Sequence, residues 1–376
     1  MAEIDERQAR DGPRFDVRFR VNGQQRKKTF RKKGDAERYL NQVRAEENDG
    51  LVTDPQGGER LFGSYAREWL KHRLVKGEPL TPATRQGYEA LLRRNIYPHF
   101  EKTRLRQMTP DRVRSWYSTL TTDKSADQAA KSYRLLRAIL NTAFSDRLIR
   151  FKPCTIKGAG IERARERSLL ETSDVLKLAD AFTPRLRAMI MLGGFKGLRP
   201  GELLGLQRQD IDLMHGTVRV ERQAQEITGR GRIITGPKSD AGKRTRKLPE
   251  SVAESLKEHL AAFVAPEPDA PVFTRKSGLP LRRSDLSNEW KAACEKVGLK
   301  GFAPYDLRHH ALTNVAGAPE ATLREIMAEG GHSSPAAALR YQHTSEERGR
   351  GMADYMDRLI RAANHPPGAG IVRIRP

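Results

Sequence analysis

Four short segments in the C-terminal half of the chain combine cations, imidazoles and phenols at spacings that could gather around one anion. In Gly197-Leu198-Arg199-Pro200-Gly201-Glu202, Pro200 suits the first position of a helix and so puts Arg199 at its N-terminal end. Unpaired N–H groups there favour anions, and a guanidinium can hold a phosphate with two parallel donors. The plain alternative is a surface arginine paired with Glu202. Gly236-Pro237-Lys238-Ser239-Asp240-Ala241-Gly242 reads as a turn between two short strands with Lys238 at its tip. That lysine is a solvated charge unless the other segments surround a phosphate. In Tyr305-Asp306-Leu307-Arg308-His309-His310, helical spacing gives Tyr305, Arg308 and His309 a common face and turns Asp306 elsewhere. Arg308 is a second candidate clamp, and His309 is equally readable as a hydrogen-bonded core histidine. Gly330-Gly331-His332-Ser333-Ser334-Pro335 ends one helix and begins another. His332 falls in the junction and Tyr341 on the following helix, where a tyrosine is also a common packing residue. One straight helix would separate the two by about 13.5 Å, so the break is what lets both face one site.

The elements that must position these residues are of mixed type. From Leu169 onward the spacing predicts helices over 173–182, 184–195 and 201–207, and strands over 217–221, 232–235 and 245–248. Helices follow over 251–264, 284–297, 306–316, 321–328, 335–342 and 350–363. Upstream, Phe62, Tyr65, Trp69 and Leu70 mark an amphipathic helix, and Thr81-Pro82 and Thr109-Pro110 are helix starts. A fourth helix runs over 126–144, and the aromatic residues of this region read as core. At the N-terminus, residues 1–13 are polar and expected to be loose. Phe15, Val17, Phe19 and Val21 alternate with polar residues as a strand, Asn22-Gly23 turns it, a second strand covers 25–30, and a helix covers 35–47. The layout is multidomain α+β: a small N-terminal β-sheet plus helix module over 1–55, an all-helical domain over 60–155, and a mixed, mainly helical domain with a small antiparallel sheet over 165–376.

Composition narrows the partner. The chain has 376 residues, 69 Lys or Arg against 47 Asp or Glu, and a net charge of +22. With 37% hydrophobic residues it can build cores, so it is not a disordered basic chain. Such a charge favours a polyanion, nucleic acid before an anionic membrane. Residues 14–33 carry nine basic residues and one acidic, among them Arg18, Arg20, Arg26, Lys27 and Lys28, candidates for DNA contact. Two cysteines exclude a disulfide scaffold or a four-cysteine zinc site. There is no apolar signal segment at the start and no stretch of membrane-spanning length, which leads to the expectation of a cytoplasmic protein without membrane contact.

Taken together, Arg199, Lys238, Arg308 with His309, His332 and Tyr341 resemble the ordered signature of the tyrosine recombinases, or phage-type integrases. That signature is an arginine in Gly-Leu-Arg-x-Gly-Glu, a hairpin lysine, a His-x-x-Arg-His box, a Gly-His pair and a tyrosine nine residues later. Each motif is short, but five in order are specific, and the resemblance covers residues 165–363. The helical domain is similar in size and place to the family's core-site-binding domain, and the N-terminal module to the arm-site-binding domain of larger integrases. The resemblance implies a site-specific DNA recombinase that integrates and excises a phage or mobile element. Tyr341 would be the nucleophile forming a 3′-phosphotyrosyl link, Arg199 and Arg308 would neutralise the phosphate, Lys238 would protonate the leaving 5′-oxygen, and His332 would hydrogen-bond a nonbridging oxygen. No metal or other cofactor is implied. The implied partners are double-stranded DNA with core-type and arm-type sites, a homotetramer on that DNA, a host DNA-bending protein and a directionality factor. The stripe Met352, Tyr355, Met356 and Leu359 resembles the part that docks on a neighbouring protomer, with packing inside its own domain as the alternative. One position departs from the pattern: Tyr305 stands where the box has its first histidine, and a phenol is a poor base at neutral pH.

Three other readings compete. A type IB topoisomerase-like enzyme shares the chemistry but reseals the same strand, and the appended arm-type module argues against it. A non-catalytic DNA-binding regulator would have lost Arg199, Arg308 or Tyr341, and all three are present. A structural nucleic-acid-binding protein would make the ordered motifs a coincidence.

Overall fold

The computed structural model describes residues 2–21, 23–48, 54–162, 169–237, 239–318, 321–341, 354–358 and 360–361. Lys238, Met352 and Leu359 lie outside the described residues. The chain divides into two compact units, Met1–Glu166 and Arg167–Pro376.

The first unit opens with an antiparallel sheet of β1 (Glu3–Ala9), β2 (Gly12–Val21) and β3 (Gln24–Phe30), followed by helix α1 (Lys33–Asn48). Period-2 alternation turns Phe15, Val17, Phe19 and Val21 onto Ala36, Leu40 and Val43 of α1, a small separate core. The segment expected to be loose is instead the edge strand β1. Its sequence EIDERQA has no apolar alternation to announce it. It is held by its ladder to β2 and by an ion pair from Arg18 Nε to Asp5 Oδ2 at 2.7 Å.

The rest of this unit is helical: α2 (Pro55–Gly58), α3 (Phe62–His72), the short pair β4 (Leu74–Val75) and β5 (Glu78–Pro79), α4 (Pro82–Leu91), a π-helical turn Leu92–Ile96, α5 (Tyr97–Phe100), α6 (Pro110–Asp123) and α7 (Ala126–Ser145). Thr81 and Thr109 cap α4 and α6 by accepting from the N–H groups of Thr84 and Arg112, each at 3.3 Å. Such a cap contributes about 1 kcal/mol. The aromatic residues are core: Phe62, Tyr65, Trp69, Trp116 and Tyr133 are all buried. Trp69 Nε1 donates to Thr142 Oγ1 at 2.9 Å and Trp116 Nε1 to the Asn95 carbonyl at 2.8 Å, so their polar edges are satisfied.

The second unit contains α8 (Thr172–Ala181), α9 (Pro184–Lys196), α10 (Pro200–Gly205), β6 (Ile211–Asp212), β7 (Thr217–Val220), β8 (Gln223–Ile227), β9 (Gly231–Thr235), β10 (Arg244–Lys247), α11 (Glu250–Phe263), α12 (Arg283–Lys296), α13 (Asp306–Gly317), α14 (Leu323–Gly330) and α15 (Pro335–Leu339). Helix α9 is buried along most of its length and packs against α8, α11 and α13. Two antiparallel sheets lie in this unit, one ordered β10-β7-β6 and one formed by β8 and β9.

Two sequence expectations need correction. The segment 236–242 does lie between two short strands, β9 and β10, but these are not a hairpin: β9 pairs with β8, whereas β10 pairs with β7, and a 3-10 turn, Asp240–Gly242, precedes β10. Nor does Tyr341 lie on the last helix of the motif. α15 ends at Leu339, and the Tyr341 N–H bonds the Ala338 carbonyl at 3.0 Å in a turn beyond it. Among the described residues, no helix is long and apolar enough to cross a membrane.

Candidate active site

Arg199 is the residue that caps α10, placed there because Gly197 ends α9 and Pro200 starts the next helix. Its Nη1 donates to Glu202 Oε1 at 2.7 Å, its backbone N–H to Glu202 Oε2 at 2.9 Å, and its Nη2 to the Gly331 carbonyl at 3.3 Å. The side chain keeps 30% of its surface, whereas that of Glu202 keeps 2%. The pairing with Glu202 and the role in the site are thus one arrangement, not alternatives. Burial alone would raise the Glu202 carboxyl. The hydrogen bonds and charge of Arg244, with the charge of Arg199, outweigh it and hold the group ionised below the usual range.

Arg308, in the first turn of α13, has no exposed surface. Its Nη1 donates to the Gly197 carbonyl at 2.6 Å and its Nη2 to the Gly330 carbonyl at 2.5 Å. The same Nη2 lies 2.9 Å from His332 Nε2. Burial first, then the like charge of Arg199, lower its affinity for the proton. An arginine can only donate, so Nε2 of His332 is the acceptor and the ring proton sits on Nδ1. Burial, followed by the charges of Arg308, Arg199 and Arg244, brings His332 down to about 4, so the ring is neutral at physiological pH. Its Nδ1 and the Nε of Arg308 are both buried without a hydrogen-bond partner.

The junction between α14 and α15 needs its two glycines. A Cβ on Gly330 would come within 2.7 Å of the His332 ring. Gly331 takes φ +58°, and a Cβ there would lie 2.9 Å from the Ala241 carbonyl and 3.0 Å from Arg244 Nη1. With this bend, the Tyr341 ring stacks on His332 at 5.9 Å between centroids and 4° between planes. On another side it meets His309 at 5.7 Å, and His309 in turn meets Tyr305 at 5.1 Å. Tyr341 is 7% exposed. Burial, then Tyr305, push its phenol above the ordinary value against the opposing charges of Arg308 and Arg340. Tyr305 precedes α13 and is 40% exposed.

Arg199, Arg308, His332, Tyr341 and Tyr305 therefore form one connected cluster; Lys238 lies outside the described residues. Asp306 is buried and receives the Ala303 N–H at 2.7 Å, a helix-capping use. His310, not His309, is the core histidine, with Nδ1 donating to the Gly194 carbonyl at 2.8 Å. Sequence reasoning missed Arg244. Its only signal was the two-residue spacing with Arg246, which puts both on one face of β10. Among the described residues, no group of three or more His, Cys, Asp or Glu could hold a metal ion.

The five N-terminal basic residues do not share one face. Register pairs Arg18 with Lys27 on the side away from α1, together with Arg20. Arg18 and Lys27 are ion-paired there, to Asp5 at 2.7 Å and to Asp16 at 3.3 Å. Arg26 and Lys28 point to the helix side, where Lys28 Nζ sits 4.3 Å from the Tyr39 ring and Arg26 meets Asp54 at 3.1 Å.

A phenol, two arginines and a neutral imidazole gathered on a mainly helical domain with small sheets define a tyrosine-dependent DNA strand transferase. The chain belongs to the phage integrase family and is a site-specific recombinase that cleaves and rejoins DNA. Residues 166–348 match the model of the phage integrase family, and residues 61–121 that of the phage integrase N-terminal SAM-like domain. It is 37% identical over 339 residues to the phiRv2 prophage integrase of Mycobacterium tuberculosis, covering 88% of each chain. In fold it is similar to the Tn1549 transposon integrase in complex with a circular intermediate DNA, with a TM-score of 0.69 and 19% identity over 78% of this chain and 99% of that one. It is also similar to the lambda integrase tetramer bound to a Holliday junction, with a TM-score of 0.56 and 16% identity over 88% and 96% of the two chains.

Proposed function

We propose that Tyr341 attacks the scissile phosphodiester in line, so that its Oη–P bond forms as the P–O5′ bond breaks, leaving a 3′-phosphotyrosyl link. A 5′-hydroxyl of a second duplex then displaces the tyrosine. Arg199 and Arg308 offset charge growing on the nonbridging oxygens, and Lys238 gives its proton to the leaving 5′-oxygen. His332 serves as a donor through Nδ1–H, not as a base, because its lone pair is engaged by Arg308. The proton of Tyr341 therefore leaves by water or by the neighbouring His309, with Tyr305 a hydrogen-bonding neighbour. The observation that carries this reading is the convergence on Gly331-His332: Arg199 bonds the Gly331 carbonyl, and the next residue, His332, meets both Arg308 and the Tyr341 ring. The phenol is buried and its ring lies parallel to that of His332 with centroids 5.9 Å apart, so attack requires it to turn out toward the phosphate.

The reaction serves to integrate and excise a phage or mobile element in the bacterial cytoplasm. The helical domain over 60–155 grips core-type sites, and the module over 1–55 grips arm-type sites. On the helical domain, a cleft of about 640 Å³ between α4 and α7 is lined by Leu91, Leu135 and Ala138 together with Arg94, Gln128, Lys131 and Arg134; Lys131 and Arg134 share Glu162, and the excess cations suit phosphates. Assembly is as a homotetramer, as in the lambda complex, with a host DNA-bending protein and a directionality factor modulating it. Tyr355, Met356 and Ile360 each keep more than half their surface, which supports docking of this segment on a neighbour. The test is a two-duplex assay beside a supercoiled plasmid carrying one core site. Exchange of flanks between duplexes is expected; relaxation of the plasmid without any exchange would replace this reading with a topoisomerase.

A further inference from the structure

Arg244, the first residue of β10, is a buried cation that no step above uses. Its side chain keeps 2% of its surface, as does that of Glu202, and the two are joined by two bonds. Nη1 meets Oε1 at 3.2 Å and Nη2 meets Oε2 at 2.9 Å, while Nη1 also donates to the Gly242 carbonyl at 3.0 Å. With the two bonds from Arg199, each Glu202 oxygen accepts one donor from each arginine. A carboxylate has about four acceptor positions, so it is saturated and cannot rotate without breaking a bond.

We infer that Arg244 is a positioning residue for DNA cleavage: it fixes Glu202 so that Arg199 is aimed at the scissile phosphate, and it shares the carboxylate's charge so that Arg199 keeps a net cationic field there. The inference rests on the role of Arg199 proposed above. Two unit positive charges share one negative charge in this triad, leaving a surplus, and Arg199 is the more exposed of the two arginines. Were Arg244 neutral, Glu202 would pair with Arg199 alone and cancel most of its field at the phosphate. The same guanidinium lies against Gly331, whose carbonyl accepts from Arg199 Nη2. Arg244 thus braces Arg199 from both sides.

The experiment measures single-turnover formation of the covalent protein–DNA adduct on a nicked duplex carrying the core site. Three scissile linkages are compared: the phosphodiester, a methylphosphonate, and a 5′-bridging phosphorothiolate. The methylphosphonate is uncharged and needs less cationic help in the transition state. The phosphorothiolate releases a thiolate that needs no proton from Lys238. R244M is expected to slow cleavage of the phosphodiester on the order of 10²-fold, the loss expected when a reacting group is misplaced by about 1 Å. It should approach the wild-type rate on the methylphosphonate and stay slow on the phosphorothiolate. R244K, which keeps the charge but not the paired geometry, should fall between the two, and it carries the same comparison if R244M does not fold. Undiminished cleavage of the phosphodiester, no recovery on the methylphosphonate, or recovery on the phosphorothiolate would each overturn the assignment. An adduct absent from the wild-type chain would instead sink the site reading itself, and this inference with it.

Discussion

At the scale of single residues, proton positions decide which groups can act. His332 is held near 4 by burial and four arginines, Arg308, Arg199, Arg244 and Arg340, against an ordinary 6.5. The unfolded chain therefore binds a proton that the folded chain refuses between those values. Stability is full above about 6.5 and falls as pH drops toward 4. His259, lowered chiefly by burial, adds in the same direction. H332Q should flatten the decline of melting temperature across this window while leaving the His259 part; parallel curves for the two proteins would refute the shift. Tyr305 is the other informative residue. Its ring touches His309 and not Tyr341 in the ring contacts of the site. Y305F should lower the rate of adduct formation far less than the roughly 10²-fold expected on removing a general base. A loss of that size would make its hydroxyl part of the proton path.

At the scale of elements, the bend between α14 and α15 and the strand β10 shape the site together. Arg244 reaches α10 through Glu202, and two residues on, Arg246 Nε lies 3.3 Å from Glu329 at the end of α14. G331A places a side chain in the left-handed region and against Arg244, so it should cost about 1–3 kcal/mol of stability and most of the cleavage rate. Unchanged melting with full activity would contradict the close approach. The helices were legible because proline and threonine mark their starts and apolar residues recur at helical spacing; Thr81, Thr109 and Pro200 act as their types predict. The elements that were not legible lack such local marks. β1 is polar but for Ile4, packed against the small core, and Ala9, and exists through its partner strand. The segment after β9 contains turn residues that fit a hairpin equally well, and only the pairing of β10 with β7 excludes one. The site residues were legible through their order, whereas Arg244 was hidden because a buried arginine's partner is a tertiary fact.

At the scale of the whole molecule, the +22 charge is unevenly spread. Residues 1–60 hold 14 basic and 12 acidic residues, which leaves nearly all of the excess to the helical and catalytic regions. Binding there should be dominated by phosphate contacts. Affinity for a core-site duplex is expected to fall on the order of 10³-fold or more between about 50 and 200 mM salt. K131A, in the cleft between α4 and α7, should reduce that slope by about one. A slope unaltered by salt or by this substitution would move the DNA to another face. The central claim is that Tyr341 forms the covalent bond to DNA, and one measurement addresses it directly. A nicked duplex carrying the core site is incubated with the protein and run on a denaturing gel, with wild type and Y341F compared at equal binding. The wild type should yield an adduct on the 3′ end that digestion maps to Tyr341, and Y341F should bind equally and yield none. An adduct of undiminished yield from Y341F would contradict the account.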